Sequence, residues 1–146
     1  MLLRINPGLI FGITLLVLFG LALSVWVKPG AGPLEGTIWI LELFGEPGNL
    51  VSVQKGTKIT AIFSSTQKRV EGSAGCNDYF GDYQLSDNTL TFVAMGHTEM
   101  YCTEPEGVMP QETQYLKILS NSESYQVTDG AFQVNSGNEI LIYSTR

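Results

Sequence analysis

Residues 9–27 read LIFGITLLVLFGLALSVWV, 19 positions without a charged side chain, and beyond them apolar residues alternate with polar ones over short stretches broken by turns. The first pattern predicts a helix. At 1.5 Å per residue it would reach about 28 Å, close to the hydrocarbon thickness of a bilayer. The second pattern has a period of two and predicts antiparallel strands at residues 37–44, 57–64, 67–74, 80–85, 88–93, 124–128, 131–135 and 139–144. Asp129-Gly130 is the strongest hairpin signal, Ser86-Asp87 links two further strands, and Ser136-Gly137-Asn138 turns the chain into the last one.

One stretch departs from this alternation. Between residues 104 and 121, Tyr115, Leu116 and Leu119 recur at helical spacing, with Val108 and Met109 a turn or two earlier. Thr103 or Glu104 with Pro105 suits a helix start, and Pro110 is expected to confine the regular part to about 111–120. The apolar stripe is expected to pack on the sheet. The fold expected is mainly β: a small antiparallel, barrel-like or two-layer domain with one covering helix, preceded by a single N-terminal transmembrane helix.

Composition sharpens the division. Charged residues make up only 15% of the 146, against about 25% in ordinary soluble chains, and the shortfall is concentrated in the first 28 residues. Two readings of that segment compete: a retained anchor, and a signal removed near Ala22-Leu23-Ser24. The anchor is preferred because the apolar run exceeds the usual 7–15 residues of a signal. Either reading exports the rest, and the N-terminus is expected in the cytoplasm. Cysteine is missing from this region, so no lipid-modified N-terminus is expected. Residues 29–33, a Pro/Gly run, read as a tether, which leaves 34–146 as one domain.

From Pro29 onward six Lys/Arg meet 14 Asp/Glu, a net charge of −8 against −6 for the whole chain. Phosphate backbones would repel such a domain, so nucleic acid is not expected as a partner. Anionic headgroups are disfavoured in the same way. The expected lipid contact is the bilayer around residues 9–27.

Cys76 and Cys102 are the only cysteines, an even count in a chain read as exported. Pairing would close a loop of about 27 residues and stabilise the fold by roughly 3–4 kcal/mol. Zinc and a cysteine nucleophile are the rival uses. Zinc needs more ligands than His97, the sole histidine, can supply. A nucleophile needs a free thiolate beside a base, and His97 is the only available partner, more simply read as an exposed loop residue.

The densest run of unusual residues is Gly72-Ser73-Ala74-Gly75-Cys76-Asn77-Asp78-Tyr79-Phe80-Gly81-Asp82-Tyr83. Downstream come Thr98-Glu99-Met100-Tyr101-Cys102 and then Glu112-Thr113-Gln114-Tyr115-Leu116. In this order and spacing they resemble the META domain, or HslJ-like, family. The resemblance runs from Gly36-Thr37-Ile38-Trp39 to the strand near 140–143, nearly the whole exported part. It implies a compact antiparallel β domain with a helix laid on it, exported in bacteria and often lipid-anchored. It also implies links to heat-shock expression and novobiocin tolerance, without an established activity or ligand. Its motif falls on Gly75, Cys76, Asn77, Tyr79, Gly81, Tyr83, Thr98, Met100 and Cys102. The family frequently has Arg where Glu99 stands, so no anion-binding role carries over to that position.

No catalytic set, metal site or cofactor is expected. Asp78, Asp82 and Asp87 do not fit a calcium loop, because Tyr79, Phe80 and Gly81 follow Asp78. Asn77 is expected to cap or turn the chain through its amide, with Asp78 doing the same or facing water. Of Tyr79, Phe80, Tyr83 and Tyr101, two are expected in the core and the remainder on a candidate interaction face; Trp39 reads as core. The function expected is a non-catalytic, membrane-tethered envelope domain, monomeric in itself, acting in stress or antibiotic tolerance through an unknown envelope protein or small ligand. The alternatives are an envelope hydrolase and a module binding a sugar or drug-like ring.

Overall fold

The computed structural model describes residues 34–145, so the expected helix at 9–27 and the tether lie outside the described residues. Nine strands and one helix follow in the order β1 (Ile38–Glu46), β2 (Asn49–Ser52), β3 (Thr60–Ser64), β4 (Arg69–Ser73), β5 (Asp78–Ser86), β6 (Thr89–His97), α1 (Val108–Ser120), β7 (Ser124–Thr128), β8 (Ala131–Ser136) and β9 (Glu139–Ser144). Every pairing is antiparallel, and β9 returns to pair with β1, so the sheet closes into a ring with β2 outside it on β1. The ring's weakest joint lies between β6 and β7. They share a single register pair, Thr89 with Ser124. Helix α1 packs against β6, β8 and β9, filling the opening where β6 leaves its neighbour.

Alternation sets what faces inward. On β5 the buried residues are Tyr79, Gly81 and Tyr83, while Asp78, Phe80, Asp82 and Gln84 point outward. Two irregularities shift that phase. At Glu42 the β1–β9 register slips by one residue, so that Leu41 and then Phe44 face the core. Between Phe80 and Asp82 the β5–β6 register slips again, with Ala94 at φ 52° on the bulged strand. There the sulfur of Met95 would lie 2.3 Å from any Cβ placed on Gly81, so a larger residue would have to displace the Met95 side chain.

Several boundaries differ from the sequence expectations. The strand expected over 57–64 begins at Thr60, with only an isolated Ile59–Ala74 bridge before it, and the one expected over 67–74 spans Arg69–Ser73. β5 and β6 extend past 80–85 and 88–93, because the bulge lets pairing resume as far as Tyr79 and His97. The β5–β6 turn is Asp87-Asn88, with Asp87 at φ 52°, one residue later than Ser86-Asp87. Asp129-Gly130 turns as expected, with φ 45° and 79°. Helix α1 starts at Val108 rather than near 111. Pro110 is harmless there, because the first-turn amides have no intrahelical acceptor, and the first such bond runs from Gln111 N–H to the Gly107 carbonyl.

Aromatic rings fill the barrel. Phe132 stacks on Tyr143 at 4.9 Å between centroids, meets Trp39 at 5.2 Å, and takes Phe63 edge-on at 5.6 Å. Beside them three phenols form a hydrogen-bonded chain that joins the helix to the barrel. Tyr143 donates to Tyr115 (3.2 Å), Tyr115 to Tyr79 (2.8 Å), and Tyr79 to the Thr60 carbonyl (2.8 Å). A fourth, Tyr83, donates toward the Glu35 carboxylate at 2.5 Å, and Lys68 binds the same oxygen at 2.7 Å. The Lys68 hydrogen bond, then that of Tyr83, holds the Glu35 carboxyl below its usual range.

Burial raises all four phenols, and in Tyr83 the Glu35 carboxylate adds to the effect. Folded tyrosine therefore keeps a proton that unfolded tyrosine releases near pH 10, so stability is undiminished below that pH and falls as pH rises through it. We expect these four tyrosines to ionise only as the domain unfolds, with phenolate absorbance and loss of β-sheet circular dichroism rising together. Phenolate from these four in a still-folded domain would contradict the buried chain.

Candidate functional site

The motif residues converge where the β4–β5 connection meets the segment between β6 and α1. Gly75, at φ 116°, turns the chain out of β4 into Cys76 and Asn77. Cys76 is bonded to Cys102, with an S–S distance of 2.01 Å and the Cα atoms 5.9 Å apart. Asn77, 1% exposed, is the hub of a polar cluster. Its Oδ1 accepts from the Met100 amide (2.6 Å) and the Thr98 hydroxyl (2.8 Å), while its Nδ2 donates to the Met100 carbonyl (3.0 Å) and to Glu112 (2.6 Å).

Glu112 completes the cluster from α1. Although 3% exposed, its carboxylate accepts the backbone amides of Cys76 (3.0 Å) and Asn77 (2.6 Å) on one oxygen, and the Asn77 side chain on the other. Three N–H donors surround it. Next to it, Gln111 accepts from the Gln54 amide (2.6 Å) and donates to Thr57 (3.0 Å), and the Gln54 side chain donates to the Glu106 carbonyl. The start of α1 is thereby tied to both the motif loop and the β2–β3 connection. In the sequence Glu112 stands only as part of a motif, and nothing there assigns a role to Gln111 or Gln54. The available signal was Glu112 one helical turn before the buried Tyr115, which sets both on the inward face.

The network leaves Met100 and Tyr101 on the surface, 55% and 81% exposed, at the edge of a groove of about 430 Å³ lined also by His97, Met109, Glu112 and Leu116. Tyr79 and Tyr83 are core, whereas Phe80 and Tyr101 are outside it. Phe80 is covered by the Arg69 guanidinium, 4.8 Å from its ring centre, in a separate groove on the outer face of β3, β4 and β5. His97 is exposed as expected but ends β6 instead of lying in a loop, and its Nδ1 donates to the Thr98 carbonyl at 2.6 Å. Among the described residues no three His, Cys, Asp or Glu side chains cluster as a metal site, and no helix is long and apolar enough to cross a membrane.

Fold and site together define a class: a small antiparallel barrel plugged by one helix, whose motif loop is clamped by a disulfide and by a buried carboxylate–asparagine pair. The chain belongs to the META domain family, which matches residues 32–145. A solved solution structure of a protein from Burkholderia xenovorans is similar at 28% identity, with a TM-score of 0.66 over 77% of this chain and 83% of that one. A second solution structure, 20% identical, has a TM-score of 0.57 over 75% of this chain and 88% of the other. A crystal structure of a DUF4847 family protein from Bacteroides vulgatus, at 11% identity, has a TM-score of 0.55 over 78% and 95% of the two chains, a likeness of fold alone. No curated protein matches the sequence.

Proposed function

We propose that this protein is a non-catalytic binding domain of the bacterial envelope, tethered by residues 9–27 with residues 34–146 outside the cytoplasm, and that it acts in stress or antibiotic tolerance through the face formed by Met100, Tyr101 and α1. The observation that carries this reading is the contrast at Met100, whose backbone is held on both sides by a buried asparagine while its side chain faces solvent. Rigid backbone beneath exposed apolar side chains is the arrangement of a recognition surface, because little ordering entropy remains to be lost on binding. A disulfide is also in keeping with an oxidising compartment.

Two groups that a hydrolase could enlist are already engaged. Cys76 is in a disulfide, and Glu112 is saturated by amides. The test is a photo-crosslinking amino acid in place of Tyr101, expressed in the full chain in its native membrane. We expect a reproducible adduct that disappears in the Cys76→Ser/Cys102→Ser background, together with protease access to 34–146 from outside intact cells. An adduct equally strong from an exposed position in the β3–β4 turn, such as Ser65, or access only after lysis, would overturn the proposal.

A further inference from the structure

We infer that the groove beside α1 is a site for a soft monovalent metal ion, Cu(I) or Ag(I), held by His97, Met100 and Met109. The inference rests on the reading of this face as the binding face and names its ligand. The sequence holds four methionines and one histidine. Met100, Met109 and His97 line one groove of about 430 Å³. Met95 and His97 line the adjoining groove of about 300 Å³, so all methionines of the described domain gather around the single imidazole. Met95 packs against the core with its sulfur over Gly81, whereas neither Met100 nor Met109 fills the core or packs on it.

His97 and Met109 are each oriented by a second contact, as metal ligands usually are, and Met100 stands on fixed backbone. The Thr98 carbonyl can only accept, so the neutral His97 ring carries its proton on Nδ1 and leaves a lone pair on Nε2. The Met100 backbone is fixed by Asn77. The Met109 sulfur accepts the Cys102 amide at 3.5 Å, which uses one of its two lone pairs. Thioether and imidazole are soft to borderline ligands that select Cu(I) and its analogue Ag(I) over zinc, magnesium or calcium. They suit an oxidised domain, because the disulfide has removed both thiols as competing soft donors. Glu99 at the groove and the net −8 of the region from Pro29 onward favour a cation electrostatically.

The experiment uses the full chain in detergent, disulfide intact and free of chloride, titrated with silver nitrate while the methionine methyl resonances are followed. Cu(I) is then measured by competition with a chromogenic chelator. We expect the Met100 and Met109 methyls to shift and saturate at one equivalent. Met100→Leu and Met109→Leu, which keep the apolar bulk, should each weaken both ions at least tenfold, and His97→Gln should do the same, with the melting temperature little changed. Absence of saturable binding, or a loss below tenfold in the double leucine variant, would overturn the site. Crosslinking from Tyr101 in metal-free membranes separates the two readings: adducts without silver binding sink only the ion, and silver binding without adducts leaves the ion as the ligand of this face.

Discussion

Glu112→Gln is expected to cost this domain about 3 kcal/mol, although it changes one atom of a side chain on a helix. The carboxylate is 3% exposed and accepts three N–H groups, two from backbone amides on one oxygen and one from Asn77 on the other. Glutamine offers one oxygen. If that oxygen keeps the two backbone amides, its NH₂ points at the Asn77 NH₂, and two donors meet. Turning Asn77 over relieves that clash and creates another, because its Nδ2 would then face the Met100 amide, now satisfied by Oδ1. No combination of flips pairs every donor. A buried donor left unpaired costs about 1–3 kcal/mol, and loss of the charge-assisted bonds adds to that. For a domain of this size 3 kcal/mol corresponds to roughly 12–15 °C in melting temperature. The comparison is thermal unfolding of wild type and Glu112→Gln at pH 7. A shift under about 3 °C would mean that the amide network is not what holds α1 to the motif loop.

The cluster shows which parts of the site were legible in the sequence. The order of cysteines, Asn77, Thr98 and Met100 marked the place, and alternation along Tyr79-Phe80-Gly81-Asp82-Tyr83 separated inward from outward rings. The role of Glu112 was not legible. An acidic residue on a helix reads as a solvent face, and only the tertiary encounter with the amides of Cys76 and Asn77, 36 and 35 residues away, makes burial tolerable. Ring closure was equally hidden, since β1 and β9 stand about a hundred residues apart and nothing local to Leu41 or Tyr143 states their pairing. β2 escaped notice because Asn49–Ser52 is short, mostly exposed and paired only along β1. Periodicity finds strands half buried in a core, and β2 is not one. The bulge at Ala94 ended the visible alternation of β6 early, although pairing resumes two residues on, at Gly96 with Phe80.

Replacing the disulfide, as Cys76→Ser/Cys102→Ser, is expected to remove up to about 3.5 kcal/mol, the chain-entropy value for a loop of this length, or roughly 15 °C in melting temperature. The loop it closes is not featureless, and that decides where within the range the result falls. Cys76 and Cys102 stand outside the ends of the β5–β6 hairpin, whose outermost pair is Tyr79 with His97. Were that hairpin to persist in the unfolded ensemble, the crosslink would restrain only the few residues beyond it, and its loss would cost about 1–2 kcal/mol less. The β5–β6 turn gives little reason for such persistence. Its leading residue is Asp87, a non-glycine held at φ 52°, and the strands are interrupted by the bulge at Ala94. The full entropic effect is therefore expected, while the barrel, whose closure runs through β1 and β9, keeps its β-sheet circular dichroism at 20 °C. The local signature is faster hydrogen exchange at the Met100 and Cys102 amides, whose acceptors are Asn77 Oδ1, next to the crosslinked Cys76, and Met109 Sδ on α1. Exchange at Trp39 and Phe132 in the barrel wall should follow global stability alone. A melting shift below 5 °C with unchanged exchange at Met100 would show that the asparagine hub, without the disulfide, fixes the exposed face.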